Sequence, residues 1–468
     1  MNTIFFEQFL VITEVRSILF VLVLFALFGV LAYVKKKEWL NMSGRLMLAT
    51  VLGLVLGIAM LAVAGMPDAP LSVSWIAEVR TWYGLIADGF MSLLRMIVVP
   101  LVLVSIIRVI VNMDGSKSVG KLVSRGVGFL VFTTLIGAAI GLTVASIFGL
   151  GSGTPLNYGD DEVRAITNVV ATVLGFLPDN PFAALSNGAV IPTMVFASFV
   201  GLAIRTQSKI DVKMVQPFID FNEAVYTIIM NIATKIISWL PYAIIALLAN
   251  TIASRGLQAF TEVAQFAAAY VISVVIMFGV QLLLLALSGL NPLMYLKNVG
   301  KALILAFTSR TSLGTLPVSV KVLTENAGLN QGTATFITSL GANGGMNGGG
   351  IYASLISVMI ANMIGVPIDF TFIVLLFMVI GLSSFGIAGV PGGILLMISI
   401  PLTALGLGEH FALAATVFAI DPIIDMFRTF TNVSGALTAS LVVGKSIDEV
   451  EMATYNDDAI NLANMKKA

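Results

Sequence analysis

Gly341-Ala-Asn-Gly-Gly-Met-Asn-Gly-Gly-Gly350 stands in the middle of an apolar run of membrane length, from about residue 332 to 361. A helical crossing takes about 20 apolar residues, and each glycine inside a helix costs about 1 kcal/mol relative to alanine. The tract therefore reads as unwound chain within a span, with carbonyls free to hold an alkali cation, since hard ions prefer oxygen. Glycines also serve close packing between membrane helices, and the tract alone does not separate the two uses. Non-helical backbone at membrane depth is tolerated only where it faces protein or a water-filled cavity. The expected fold class is thus an all-α, multi-spanning membrane protein with a polar interior site.

Working outward, the flanking apolar blocks are interrupted in the same way. Residues 293–324 break at Thr308-Ser-Arg-Thr-Ser-Leu-Gly-Thr-Leu-Pro317, and residues 369–407 break at Ser383-Ser-Phe-Gly-Ile-Ala-Gly-Val-Pro-Gly-Gly393. Each half is too short to cross alone, so both are expected as re-entrant helical hairpins. Paired interrupted segments are a pointer to a transporter's binding site. At the first tip, Arg310-Thr311-Ser312 offers hydroxyls and free amides at a half-helix N-terminus, which favour an anionic group such as a carboxylate. The other reading of this tip is a surface loop with Arg310 snorkelling.

The polar constellation is Asp421-Pro-Ile-Ile-Asp425-Met-Phe-Arg428-Thr429-Phe-Thr-Asn432 in an apolar surround. Spacings of 4, 3 and 4 put Asp421, Asp425, Arg428 and Asn432 on one helical face. An ionised group at mid-bilayer costs roughly 2.5–3.5 kcal/mol, so three on one stripe need partners or water. Asp425 and Arg428 can neutralise each other at i, i+3 and simply hold helices together. They can also receive the ammonium and, bidentately, the carboxylate of a zwitterion. That second use describes an amino-acid site.

The rest of the chain fits a membrane carrier. Hydrophobic residues make up 58% and charged residues 11%, with mean hydropathy +1.00, too apolar for a solvated surface. Long unalternating runs exclude a strand barrel. Conventional spans are expected at about 17–34, 45–65, 82–110, 127–150, 184–205, 218–251 and 262–289. Basic residues cluster in alternate loops (Lys35 to Lys37 with Arg45; Arg108 with Lys117, Lys121 and Arg125; Arg205 with Lys209 and Lys213; Lys297 with Lys301), and the intervening loops carry Asp68, Glu78 and Asp160 to Glu162. The positive-inside rule then places the N-terminus outside and the C-terminus in the cytoplasm. Asp220, Glu223 and Lys235 read as structural or interfacial. The charge order around residue 20 is the reverse of a signal peptide's, so that segment reads as a retained span. With 25 basic and 25 acidic residues, nothing points to nucleic acid. The absence of cysteine, and a single histidine, His410, read as a loop residue, leave no thiol chemistry, no Ser–His pair and no transition-metal site. No enzyme and no cofactor are expected. A pore is disfavoured because no ring of one charge sign recurs.

Together the motifs Arg310 to Pro317, Gly341 to Gly348, Ala388-Gly-Val-Pro-Gly392 and Asp421 to Asn432 resemble, in that order, the dicarboxylate/amino acid:cation symporters, the glutamate-transporter homologues. The resemblance runs collinearly from about residue 42 to 445, and with the extra N-terminal span it is nearest to the bacterial L-cystine uptake branch. It implies a homotrimer in the bacterial inner (plasma) membrane, working as an elevator. Residues 1–41 would be the extra span and basic loop, 42–120 and 181–256 the scaffold, 121–150 and 262–443 the transport domain, with a last span at 411–443, and 444–468 a cytoplasmic tail. The second hairpin would gate the substrate. Carried over by position, Asp425 would bind the amino group and Arg428 a side-chain or distal carboxylate. Thr429, Asn432 and the amides around Ser312 and Val390 take the α-carboxylate end, with Met346 beside them.

The departures from the family pattern shape the expectation. Its glutamate and aspartate carriers have Asn-Met-Asp-Gly-Thr where this chain has Gly345-Met346-Asn347-Gly348-Gly349, which removes a hydroxyl and widens the pocket. That favours a longer substrate such as L-cystine over glutamate, aspartate or a C4-dicarboxylate. The family's sodium sites carry carboxylates at the positions of Asn347 and Ala436. A cation without its counter-carboxylate loses several kcal/mol of attraction, so fewer sodium ions are expected. The best retained site uses carbonyls near Gly341, Asn343, Ser384, Phe385 and Ile387, while Thr133 and Thr134 match the hydroxyls of another. Proton coupling through Asp421 or Asp425 is the rival to sodium.

Overall fold

In the computed structural model, residues 10–67, 70–111, 117–152, 174, 177–256, 258–384 and 394–457 are described. Val390, Phe385 and Ile387 lie outside them, as does the tip of the second interrupted block. The described residues are almost wholly helical, and the one β pairing among them is an isolated Leu329–Val450 bridge. The chain forms two compact units, residues 1–97, 230–267 and 409–423 in the first, and 98–229, 268–408 and 424–468 in the second.

The first unit begins with α1 (Val15–Lys36), which ends on Lys35 and Lys36, and α2 (Met42–Val63). Both have the length and hydropathy of membrane spans. Next comes α3 (Ser74–Val111), which starts in this unit and bears Pro100 farther along. Glu78, assigned above to a loop, lies within α3. The helix starts early because Trp75, Ile76, Val79 and Tyr83 continue its buried face at helical spacing. Its carboxylate gathers the chain entering α1. It accepts the backbone N–H of Thr13 at 3.0 Å and of Glu14 at 3.4 Å, the Ser17 hydroxyl at 2.5 Å and the Thr13 hydroxyl. Phe20 stacks on Trp75 at 5.1 Å and Tyr83 donates to Phe20 O at 2.8 Å.

In the second unit α4 (Lys117–Phe148), α5 (Pro181–Ser186), α6 (Val190–Ser208) and most of α7 (Val212–Ile237) follow. Arg108, also read as a loop residue, is in the last turn of α3, where it bonds Glu223 at 2.9 Å and lies over the Tyr226 ring at 4.3 Å. The expected span at 218–251 is two helices. α7 gives way to α8 (Leu240–Arg255), with a bend of 49° where Pro241 opens the new helix. α8 packs on α2 in the first unit, so closely that a Cβ at Gly53 would meet Leu248 at 2.9 Å and one at Gly57 would meet Ile252 at 2.7 Å.

α9 (Gln258–Leu287) leads to α10 (Pro292–Ser309) and α11 (Ser312–Glu325), joined through Arg310 in the left-handed region (φ 56°). The Thr311 side chain caps α11 by accepting Gly314 N at 3.2 Å. α12 (Gln331–Asn343) and α13 (Asn347–Ile364) are the two halves of the glycine-interrupted run, parted by an extended Gly344 and by Gly345 at φ 66°. α14 (Phe370–Ser383) and α15 (Ile394–Ala404) flank the second interruption. α16 (Ala415–Ser446) carries the polar stripe and α17 (Met452–Tyr455) follows it. A C-terminal clasp closes the base of α10 and α11. Tyr455 donates to Asn291 O at 2.9 Å, Asn298 donates to Tyr455 O at 3.1 Å, and Asn326 donates to Asn298 O at 3.0 Å.

Candidate functional site

The site grows from α13, which is buried from Asn347 to Ala361 and again at Met363. Three successive glycines open it, and each faces a different neighbour. A Cβ at Gly348 would fall 2.7 Å from Arg428 O, one at Gly350 2.8 Å from Thr134 O, and one at Gly349 2.6 Å from Met397 Sδ. At 348 and 350 the obstacle is backbone, so glycine is what lets α16 and α4 close on α13. Gly137 and Gly141 do the same from the α4 side, with Cβ positions 2.7 Å from Asn347 O and 2.6 Å from Ile351 O. The glycine tract therefore both breaks the helix at Gly344 to Met346 and packs it tightly from Gly348 onward.

Against that break stands the charged pair. Arg428 Nη2 donates to Asp425 Oδ1 at 2.6 Å, with 4% and 13% of the two side chains exposed. The guanidinium carbon is 4.9 Å from the Tyr352 ring centroid, a cation–π contact. Tyr270 meets Tyr352 edge-on at 5.7 Å and donates its hydroxyl to Gly348 O at 3.0 Å. Gly348 N–H in turn donates to Asn432 Oδ1 at 2.8 Å. One glycine thus ties the start of α13 to the α16 stripe through its N–H and to α9 through its carbonyl, and the ionised pair lies against the Tyr352 face that Tyr270 supports. A guanidinium stays charged when enclosed, so it needs an anion beside it, and removing one partner of a buried pair costs about 3–5 kcal/mol.

A neutral polar layer continues from there. Thr134 Oγ1 donates to Leu130 O at 2.8 Å and to Asn347 Oδ1 at 3.3 Å. Asn347 is fully buried and its Nδ2 makes no hydrogen bond among the described residues. Ser434 donates to Gln281 Oε1 at 2.6 Å, and Gln281 Nε2 donates to Thr431 O at 3.2 Å. Gly341 faces Ala436, where a Cβ would lie 2.5 Å from the alanine's own.

Of the residues singled out from the sequence, Asp425, Arg428, Asn432 and the start of α13 meet directly, as do Thr134 and Asn347. Thr133, Ser312 and Thr429 are buried. Thr133 bonds back to Phe129 O at 3.0 Å, and Ser312 opens α11. Ser384 donates its hydroxyl to Gly381 O at 3.0 Å, and Asn343 ends α12. Asp421, also buried, belongs to the first unit. Arg310 is 6% exposed, which removes the reading of it as a snorkelling surface residue. His410 falls in a 3-10 segment, Gly408–Ala414. Sequence reasoning missed Tyr270, Tyr352, Gln281 and Met397. Tyr352 sits one helical turn after Gly348 and so shares its face. Gln281 is an amide inside the apolar span of α9, a placement that signals a polar partner. Tyr270 and Met397 carry no signal of their own in the sequence.

Residues 42–446 match the model of the sodium:dicarboxylate symporter family. The chain is 36% identical over 455 residues to the L-cystine uptake protein TcyP of Bacillus thuringiensis (strain Al Hakam), covering 94% of this chain and 96% of that one. It is 34% identical over 457 residues to TcyP of Shouchella clausii, with the same coverage, and 33% over 444 residues to TcyP of Bacillus licheniformis, covering 91% of this chain and 94% of its relative. With its apolar helices, unwound glycine tract and buried carboxylate–guanidinium pair, this chain is a multi-pass membrane transport protein and belongs to the sodium:dicarboxylate symporter family.

Proposed function

We propose that the protein is a cation-coupled secondary transporter for L-cystine uptake, working by elevator-type alternating access as a homotrimer in the bacterial inner membrane. The observation that carries this reading is the Asp425–Arg428 pair, nearly withdrawn from solvent and set against the unwound start of α13. A zwitterion offers each partner a replacement of the right sign. Its ammonium goes to Asp425, and a distal carboxylate goes to the planar fork of Arg428. Asn432, Thr429 and the helix start at Ser312 receive the α-carboxylate. Because the protein pair and the two new pairs carry the same charges, substrate exchanges partners without stranding an ion in a dry interior.

Substrate length follows from Gly349, which presents no hydroxyl to a short acidic side chain. The relatives named for L-cystine uptake support that choice over glutamate or a C4-dicarboxylate. In the coupling layer, Asn347 and Ala436 supply no carboxylate, and Thr134 is already bonded to Asn347. The reading is of fewer sodium ions than in acidic amino-acid carriers, held by carbonyls around Gly341 and Asn343, and of a C-terminus on the cytoplasmic side.

The test is uptake of labelled L-cystine into proteoliposomes under an imposed sodium gradient and, separately, an imposed proton gradient. Accumulation with sodium alone supports this account. Accumulation with the proton gradient alone moves the coupling to Asp421 or Asp425. Competition by glutamate and succinate completes it, and full displacement of cystine by either at equal concentration would overturn the substrate reading.

A further inference from the structure

Among the three glycines that open α13, Gly349 differs in kind from its neighbours. At Gly348 and Gly350 an added Cβ would strike main chain. At Gly349 it would strike the end of a flexible side chain, Met397 Sδ at 2.6 Å and Cε at 3.0 Å, with Met346 Cβ at 3.1 Å. Helix packing does not therefore demand glycine at 349. What the missing side chain leaves is room, and the thioether of Met397 fills it. Met397 is 1% exposed and Met346 7% exposed, and a Cβ at Gly348, the residue before, would lie 2.7 Å from Arg428 O and 3.2 Å from Arg428 Cγ. The Met397 thioether and the backbone and Cγ of Arg428 thus lie against consecutive residues of one helix, Gly349 and Gly348. Met397 comes from α15, the arm that follows the second interruption.

We propose that Met397 is a specificity-determining residue, its thioether standing where a side chain at position 349 would be and forming the wall on which the disulfide-bridged middle of a long bis-amino-acid substrate rests. The inference rests on the substrate reading above and deepens it. Three properties suit methionine to this place. It is unbranched, so it yields to a substrate by rotation about its side-chain bonds. It is long enough to reach Gly349 from a different helix. Its sulfur is polarisable, as a disulfide is, and makes closer dispersion contact with one than a branched hydrocarbon does. A short acidic side chain finds here a thioether in place of a hydroxyl, whereas a substrate with a four-atom bridge between its α-carbons lays that bridge along the wall.

The discriminating ligand is 2,7-diaminosuberate, which keeps both zwitterionic ends of cystine and replaces the disulfide by two methylenes. Labelled L-cystine uptake is measured in competition with it, for the unmodified protein and for Met397→Leu, which keeps volume and removes sulfur. The unmodified protein is expected to prefer cystine, and Met397→Leu to lower that preference by about threefold or more while still taking up diaminosuberate. An unchanged ratio overturns the proposal. If Met397→Leu does not reach the membrane, Gly349→Ser and the double variant Gly349→Ser/Met397→Ala decide. Loss of cystine uptake in the first with recovery in the second supports the shared volume, and no recovery overturns it. Failure of the underlying substrate reading shows separately and first, as an unmodified protein that takes up glutamate and not cystine, and it removes this inference with it.

Discussion

The carboxylate of Glu78 on α3 and that of Asp425 on α16 are both drawn out of solvent, and they are satisfied in different ways. Glu78 accepts two backbone N–H groups and the hydroxyls of Ser17 and Thr13, all from the chain entering α1. Each donor is neutral and belongs to the fold, and together they fasten the N-terminal helix. Asp425 is bonded instead by a full positive charge three residues away, and that charge also lies on a tyrosine face. Neutral donors fixed in place solvate a carboxylate for good. A charged partner leaves it open to exchange with another ion of the same sign. Under the proposed function, the difference separates a carboxylate that builds the structure from one that receives the substrate's ammonium.

The strongest blow to that contrast would come from Arg428→Ala. Truncating one partner of a buried charge pair costs about 2–5 kcal/mol, so labelled cystine uptake should fall by about a hundredfold or more. Affinity retained within twofold would make the pair as structural as Glu78. Gly348→Ala sharpens the same side with a smaller effect. Its methyl would press on Arg428 O at 2.7 Å, and overpacking of about 1–3 kcal/mol should lower uptake roughly tenfold. Unchanged uptake would mean that α13 and α16 can part freely. The smallest expected effect is on the other side. Glu78→Gln keeps the shape and removes the charge, so unfolding should become easier by about 1–2 kcal/mol, read as a lower melting temperature, with the cystine-to-glutamate preference unchanged. A shifted preference would bring Glu78 into substrate handling.

Sequence made the stripe legible because charge is rare in apolar helices. The common face of Asp425 and Arg428 could be read by spacing, and glycine content marked a break within Gly341 to Gly350, which the structure narrows to Gly344 to Met346. What sequence did not disclose depended on partners distant in the chain. Tyr270 and Tyr352 look like ordinary apolar residues until the first bonds Gly348 O and the second lies under Arg428. Met397 is one of 21 methionines, distinguished only by meeting Gly349. Glu78 reads as a loop residue by its charge, although the buried spacing of Trp75, Val79 and Tyr83 carries a helix through it. The bend between α7 and α8 was hidden because apolar residues run through it, although Pro241 marks the spot.

The most direct measurement exchanges the two charges with each other, in the variant Asp425→Arg/Arg428→Asp, and follows both thermal stability and labelled L-cystine uptake in proteoliposomes. An ion pair that only joined neighbouring turns would survive the exchange with its function. The account predicts a folded protein near the unmodified melting temperature that takes up no cystine, because each end of the zwitterion now meets its own sign. Uptake within twofold of the unmodified protein would contradict it.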